Sequence, residues 1–433
     1  MKKKKERNNN KDSMVLIGEG LFVGAFSGFI TLAYRVALSY AGTWLDAVVV
    51  YIKSHPAAVF GWLLVLTFLA VIVGKLVTLE PMISGSGIPQ VEGEIDGVLE
   101  QNWLRVILAK FVGGCLCLLG GLSLGREGPS IQLGAMTGKG VSQMLRRNKE
   151  EERYMMTCGA SAGLAAAFHA PLAGVMFALE EIHKKFSMAV LLSAMTASVT
   201  SDFVATRFLG LDPVFQFELA EPLPQKYYVW LLVLGIITGV AGVIYNWVML
   251  KAQELYQKPK WLTTTGRMLI AFLTAGGLAV VMPSVLGSGH HLMEMLTDGE
   301  MVLKTALLLL LVKLLFSAVS FGSGAPGGIF FPLLILGALI GGSFSMMGTA
   351  MFGLPEIYLN NFVLLAMAGF FTSIVRAPMT GIILLFEMSG SVSQFMSLTI
   401  VAVTAYGVAT FLRSEPIYES LLERIVKNNR ENP

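Results

Sequence analysis

Charge is scarce in this 433-residue sequence. Asp, Glu, Lys and Arg together make up 14% of it, against 54% hydrophobic residues. A soluble domain carries about 25% charged residues, so the deficit excludes an ordinary water-soluble globule and points to a membrane protein. Cysteine is also scarce: Cys115, Cys117 and Cys158 are the three present, all in apolar, Gly-rich sequence. They form neither a disulfide framework nor a metal-type pairing and read as small packing residues. No His-Glu-x-x-His zinc pattern occurs, and no metal or cofactor is implied. No cleavage site of small residues follows a short apolar core, so no removable signal peptide is read. The net charge of +3 and four lysines near the start are too little to suggest nucleic acid as a partner.

Long apolar runs are plentiful. The stretch 14–38 carries only Glu19 and Arg35 as charges, 62–74 and 228–250 carry none, and 301–319 carries Lys304 and Lys313. A spanning helix needs roughly 20 mostly apolar residues, which gives about a dozen or more helices, several of them too short to cross a bilayer alone. Runs broken by Gly and Pro predict helices that stop partway through the membrane. The basic segment at residues 1–13 precedes the first long run and predicts a solvated tail on the cytoplasmic side of a plasma (inner) membrane.

The chain repeats itself. Pro129–Gly138 (PSIQLGAMTG) aligns without gaps on Pro332–Gly341 (PLLILGALIG), and Ala170–Gly174 (APLAG) aligns on Ala377–Gly381 (APMTG). Each copy of the second block runs on to a glutamate, Glu180 or Glu387, nine residues after its proline. Two blocks in one order at nearly one offset predict two related halves, 14–222 and 223–412, followed by a C-terminal segment, 413–433, on the cytoplasmic side. The alignment fits parallel and inverted halves equally. Transporters built from such halves place their substrate near the midplane, where the halves meet.

Three glycine-proline loops share one logic. They are Gly85-Ser-Gly-Ile-Pro89, Gly125-Arg-Glu-Gly-Pro129 and Gly322-Ser-Gly-Ala-Pro-Gly-Gly-Ile-Phe-Phe-Pro332. Glycine lets backbone approach a ligand closely. Proline fits a first helical turn, where a missing N–H costs nothing. The remaining free N–H groups and the positive helix end attract an anion. Several such ends meeting inside a bilayer would bind an anion without a full positive charge, which suits an ion that must also leave.

These loops, in this order, resemble the signature loops of the CLC chloride channels and transporters, and the resemblance extends over about residues 15–425. It implies an all-α polytopic membrane fold of two inverted halves built from tilted and broken helices, assembled as a homodimer with one pore per subunit. No regulatory domain pair follows residue 430, so the likeness is to prokaryotic members. By position, the resemblance implies that Ser86 and Tyr418 offer hydroxyls to a central chloride, that Ile329 and Phe330 offer backbone N–H groups to it, and that Gly125, Arg126 and Gly128 line the outer path. A hydroxyl suits an anion because it donates one hydrogen bond without a fixed charge. Serine at 86 implies a preference for chloride over nitrate. Three positions depart from the family pattern: Gln90 where Glu is common, Phe331 where a small residue is common, and His169 where Asn is frequent.

Two glutamates carry the proton in this reading. Glu127 lies between glycines at a helix start, where its carboxylate is itself an anion able to occupy a chloride position. The resemblance makes it the external gate and proton acceptor. Glu181, at the end of the apolar run 163–181, matches the internal proton-transfer glutamate of exchangers. Lys110, Lys304, Lys313 and Arg376 read as basic side chains that snorkel to the interface, and His169 as a packed, hydrogen-bonded helix-end residue. The expected function is exchange of chloride for protons. A passive chloride channel on the same fold is the alternative, and Ser86 and Tyr418 argue against a fluoride exchanger. An intramembrane serine protease would need a histidine within reach of Ser86 or Ser323, and those serines sit in helix-start loops. A receptor or structural protein would not need repeated anion-directed helix starts.

Overall fold

The computed structural model describes residues 2–184, 187–210, 215, 217–259 and 261–431, with side chains over 14–430 of these. The described residues form helices and no named strand: α1 Lys2–Ser54, α2 Ala58–Leu79, α3 Ile88–Ile95, α4 Trp103–Leu119, α5 Glu127–Met144, α6 Lys149–Phe168, α7 Pro171–Phe177, α8 Met188–Leu209, α9 Tyr228–Gln257, α10 Thr264–Val281, α11 His290–Thr297, α12 Leu303–Gly322, α13 Phe330–Phe352, α14 Leu359–Val375, α15 Pro378–Ser389, α16 Phe395–Phe411 and α17 Ile417–Glu431. Among the described residues, nine helical stretches are long and apolar enough to cross a membrane. Outer helices present large apolar side chains outward, including Phe22 and Phe29 on α1, Phe60 and Phe68 on α2, and Trp247 on α9. In water that surface would drive aggregation; in lipid it is the solvent-matched face.

Small residues build the centre. On α5, a Cβ at Gly134 would lie 2.1 Å from Gly159 O, and one at Gly138 would lie 2.1 Å from Met155 O. On α6, one at Gly159 would lie 2.0 Å from Gly134 O. The two backbones touch because each helix carries glycines four apart, the spacing that permits close helix contact in lipid. In the second copy, Gly341 on α13 meets Phe362 O of α14 in the same manner, at 2.3 Å.

The repeat seen in sequence is a repeat of contacts. Lys110 Nζ donates to the carbonyls of Ile83 and Gly85, at 2.8 and 2.6 Å. Lys313 Nζ donates to those of Val285 and Gly287, both at 2.8 Å. Both lysines are fully buried, so the expectation that they snorkel to the interface is wrong. Each stem is surrounded by packed helix, and its ammonium finds carbonyls freed by a broken helix instead of water. Lys304, by contrast, is exposed. Arg376 is partly buried at the end of α14, donating to Tyr406 O and Thr410 Oγ1 and lying over the Tyr406 ring.

Candidate ion-binding site

Three helices carry a local side-chain cap. Asn148 caps α6 in a reciprocal box with Glu151, Asn102 caps α4, and Thr263 caps α10. Helices that begin in the interior have no such local side chain. Their first-turn N–H groups still need partners, and carboxylates from the other half supply them. Glu387 accepts from the N–H groups of Leu172 and Ala173 at the start of α7, at 2.9 and 2.7 Å. Glu180 accepts from those of Met379 and Thr380 at the start of α15, at 3.3 and 2.8 Å, and from the Thr380 hydroxyl at 2.8 Å. Each aligned glutamate of the repeat therefore fills the anion seat of the opposite copy.

The starts of α5 and α13 meet in the same interior without a side-chain cap at either N-cap residue, Arg126 or Ile329. Gly125 and Gly328 join them by a two-way backbone bridge, at 2.7 and 2.8 Å. The group at this junction is the carboxylate of Glu127. It lies close over Gly125, where a Cβ would meet Glu127 Oε2 at 2.4 Å and Phe331 N at 3.0 Å. Glu127 is fully buried, yet neither of its oxygens closes a hydrogen bond among the described residues. Its nearest cation is Arg126, with Nε 3.7 Å away. A cavity of about 840 Å³ reaches this carboxylate, lined by Arg126, Glu127, Ser288, His290, Glu294 and Phe331, among others. A buried carboxylate with no well-formed hydrogen bond thus lies at two helix starts, where free N–H groups favour an anion, beside a cavity.

The expected chloride ligands lie just beneath. Gly87 takes φ +92°, a left-handed conformation that leaves no room for a side chain against Gln132, and so turns the chain into α3. Ser86 precedes it, buried, with Oγ accepting from the N–H of Ile88 at 3.3 Å. That bond leaves the hydroxyl proton free for another acceptor. Gly128 packs directly on Ser86: a Cβ there would lie 2.9 Å from Ser86 Cβ. Phe330 is set at the head of α13 by contacts with the rings of Phe168, Phe177 and Phe371. Tyr418, the second residue of α17, is fully buried and its hydroxyl has no partner among the described residues. It lies within electrostatic reach of both Glu181 and Glu127. Gly125 lines the outer cavity as expected, but its N–H is used by Gly328, so it contributes backbone shape and no donor.

The profile of the family described as voltage gated chloride channel matches residues 65–410. The chain belongs to the CLC family. It is 30% identical over 426 residues to the H(+)/Cl(-) exchange transporter ClcA of Salmonella typhimurium, covering 96% of this chain and 89% of that protein. The ClcA of Salmonella arizonae is 31% identical over the same coverage. Among solved structures, the fold matches that of a slow cyanobacterial Cl-/H+ antiporter with a TM-score of 0.90 and 27% identity, over 95% of this chain and 98% of that one. A CLC-type fluoride/proton antiporter matches with a TM-score of 0.74 and 26% identity, over 92% and 95%. The all-α architecture of two inverted halves expected from the sequence is that of this CLC fold.

In this CLC chain, Glu181 sits in a π-helical turn, Ala178–His183, that extends α7. It is 4% exposed, and Oε1 has no hydrogen-bond partner among the described residues. A glutamate that only marked a helix emerging into water would be exposed, and this one is not. A π turn inserts an extra residue and re-aims side chains, a device common at functional sites. The three departures from the family pattern are also placed. Gln90 donates to Ser84 O at 2.7 Å and joins, through Gln101, a buried network of Glu94, Gln132 and Lys139. Phe331 fills its position between rings, tilted against His290 at 4.3 Å and stacked on Phe168 at 6.4 Å between centroids. His169 ends α6 in a left-handed conformation, with Nδ1 2.8 Å from Asp202 Oδ1, the packed helix-end role expected of it.

Sequence reasoning takes Lys110 and Lys313 for interfacial side chains and misses their pairing. They stand 203 residues apart, as Pro129 and Pro332 do, so extending the repeat alignment to buried polar positions would have paired them. Lys184 carries no motif in the sequence. Its partners, Glu92 and Glu419, are too distant in sequence to leave a local signal.

Proposed function

We propose that this chain is a secondary antiporter that exchanges chloride for protons. The observation that carries the reading is the loosely held Glu127 carboxylate at the junction of α5 and α13, between the outer cavity and the Ser86–Tyr418 region. Likeness to the Salmonella H(+)/Cl(-) exchange transporters and to the cyanobacterial Cl-/H+ antiporter supports exchange over passive conduction, and chloride over fluoride.

In this reading the central chloride is held by the hydroxyls of Ser86 and Tyr418 and by the N–H groups of Ile329 and Phe330. Arg126, Gly125 and Gly128 line its outer path. Ionised Glu127 competes with chloride for the helix starts. Protonation removes its charge, and with it the attraction to those N–H groups, so the side chain leaves and an anion enters. Glu181 passes the proton between Glu127 and the inner side. Hydrogen bonds to a charged group are worth about 1.5–3 kcal/mol each, enough for selective binding by a few donors and weak enough for release.

The same reading extends to organisation. Residues 14–222 and 223–412 form the two halves, residues 1–13 the basic cytoplasmic tail, and residues 413–433 the cytoplasmic-side segment that brings Tyr418 back to the ion. The chain works as a homodimer in the plasma (inner) membrane, with one pore per subunit and both termini cytoplasmic. Catalysis of a covalent reaction has no support in the serines considered for it. Ser323 Oγ donates to Ser320 O and accepts from Ala325 N, and Ser86 Oγ accepts from Ile88 N. Both are helix-end bonds.

The test is reconstitution into liposomes under a chloride gradient, with external pH recorded. Chloride movement should drive protons against their gradient, and Glu127→Gln and Glu181→Gln should each abolish the proton movement. Fast chloride flux without proton movement in the unaltered protein would make it a channel and leave Glu181 without a transport role.

A further inference from the structure

Three elements on the inner side each carry one component of the exchange. The first is α3, which Ser86 heads. The second is α17, whose second residue is Tyr418. The third is the π-helical turn that holds Glu181. Local sequence does not connect them. Backbone packing joins α3 to α17, where a Cβ at Gly93 would meet Leu422 Cδ1 at 2.7 Å. Glu180 bonds the turn to α15 and His183 bonds it to α6; its tie to α3 and α17 comes from the reversal of the chain that ends it.

That reversal is Lys184. It takes a left-handed conformation, φ +51°, unusual for a residue with a side chain, and its N–H returns to Leu179 O at 3.1 Å. Such a conformation costs a non-glycine residue free energy. It also aims the side chain back along the turn toward α3 and α17. Lys184 Nζ donates there to Glu92 Oε1 on α3 and, at 2.6 Å, to Glu419 Oε1 on α17. Glu92 is six residues beyond Ser86, and Glu419 is next to Tyr418. The Glu92 side chain is 2% exposed, that of Lys184 34% and that of Glu419 47%. One ammonium therefore spans from the buried side of the junction to water. Glu181 lies within electrostatic reach of Glu92, Lys184, Glu419 and Glu180.

We propose that Lys184 is the positioning residue that ties the proton-carrying turn to both elements bearing the chloride hydroxyls, so that the two ions move in a fixed ratio. This rests on the antiport reading above. Chloride at Ser86 and Tyr418 acts on α3 and α17, and a proton on Glu181 acts on the turn. With Lys184 in place, displacement of either is shared with the other. Without it, the turn keeps its bonds to α15 through Glu180 and to α6 through His183 but loses its ionic tie to α3 and α17, and two carboxylates, one buried, face Glu181 without their cation.

The experiment measures protons moved per chloride in liposomes for the unaltered protein, Lys184→Met, Lys184→Arg and Glu419→Gln. The expected result is chloride flux retained in all four, with most of the proton movement lost in Lys184→Met, partly lost in Glu419→Gln and restored in Lys184→Arg. Arginine keeps the charge and both donors; a lysine acting only as apolar filler would instead be replaced best by methionine. Glu419→Gln removes the half-exposed partner and keeps the buried pair, so it reports on the tie even where Lys184→Met fails to fold. An unchanged ratio in Glu419→Gln together with an unchanged ratio or misfolding in Lys184→Met overturns the proposal, as does failure of arginine to restore a lost ratio. Absence of proton movement in the unaltered protein is a different result, and it overturns the antiport reading itself.

Discussion

Gly125 and Gly328 exchange both of their backbone hydrogen bonds although 203 residues separate them: Gly125 N–H donates to Gly328 O at 2.7 Å and Gly328 N–H to Gly125 O at 2.8 Å. This bridge fixes the distance between the heads of α5 and α13, and the two helix starts act as one anion seat because of it. Glycine is needed on both sides. A Cβ on Gly328 would press on Gly128 N at 3.1 Å, and one on Gly125 would strike the Glu127 carboxylate.

Gly125→Ala is therefore expected to fold and to expel Glu127 from its seat. The closest atom to the added methyl, Glu127 Oε2 at 2.4 Å, is the far end of a flexible side chain, while Phe331 N at 3.0 Å is backbone and tight. The side chain yields before the helix does. Chloride efflux from liposomes should persist while proton movement per chloride falls. Unchanged proton movement would show that Glu127 does not need this seat.

Lys110→Met and Lys313→Met should each lower stability by similar amounts. Each removes the donor to two carbonyls inside the membrane domain. A buried polar group left without its partner costs about 1–3 kcal/mol, so roughly 2–6 kcal/mol for two carbonyls is expected for either variant before the apolar gain of methionine offsets part of it. The check is the apparent melting temperature of the purified protein in one detergent. A large loss in one variant and none in the other would break the equivalence of the two copies.

These lysines also mark where reading the sequence reached its limit. The helical fold, the two-copy organisation and the three loops were legible because each is written locally, in apolar runs, in aligned glycines and prolines, and in helix-start residues. Glu127 was legible because a carboxylate between glycines at a helix start has few other uses. The fate of a charge in an apolar run was not, because Lys110 and Lys304 look alike in sequence and differ only in what packs around them: the first is fully buried against two carbonyls and the second is exposed. The partners of Glu180, Glu387 and Lys184 were equally hidden, since each bond crosses between segments that only the tertiary fold brings together.

Ser86→Ala should weaken chloride binding with little effect on the fold. The hydroxyl accepts one bond, from Ile88 N at 3.3 Å, a long contact whose loss at a helix start is minor. Its donated bond to the ion is the larger contribution, about 1.5–3 kcal/mol for a charged partner. Calorimetric titration with chloride should show affinity reduced by roughly tenfold or more. Ser86→Pro should in addition shift the preference toward nitrate, read from the relative flux of the two ions. Equal chloride affinity in Ser86→Ala would remove the hydroxyl from the ligand set.

Three carboxylates sit at interior helix starts, and their hydrogen bonds predict which of them moves. Glu180 receives three bonds, from Met379 N, Thr380 N and Thr380 Oγ1, and Glu387 receives two, from Leu172 N and Ala173 N. Glu127 closes none of comparable geometry, the N–H groups of Glu127 and Phe331 lying near its carboxylate without a well-formed bond. An amide in place of a carboxylate loses the charge that strengthens such bonds and offers one oxygen where two were used. Glu180→Gln and Glu387→Gln should each lower the apparent melting temperature, by about 1–3 kcal/mol of lost interaction. Glu127→Gln has no formed bonds to lose and is relieved of a buried charge, so its melting temperature should stay level or rise. The contrast separates the two roles on stability alone, independent of any transport assay. If Glu127→Gln melts as early as the other two, Glu127 is a third structural cap, and the gate must be sought elsewhere along the path.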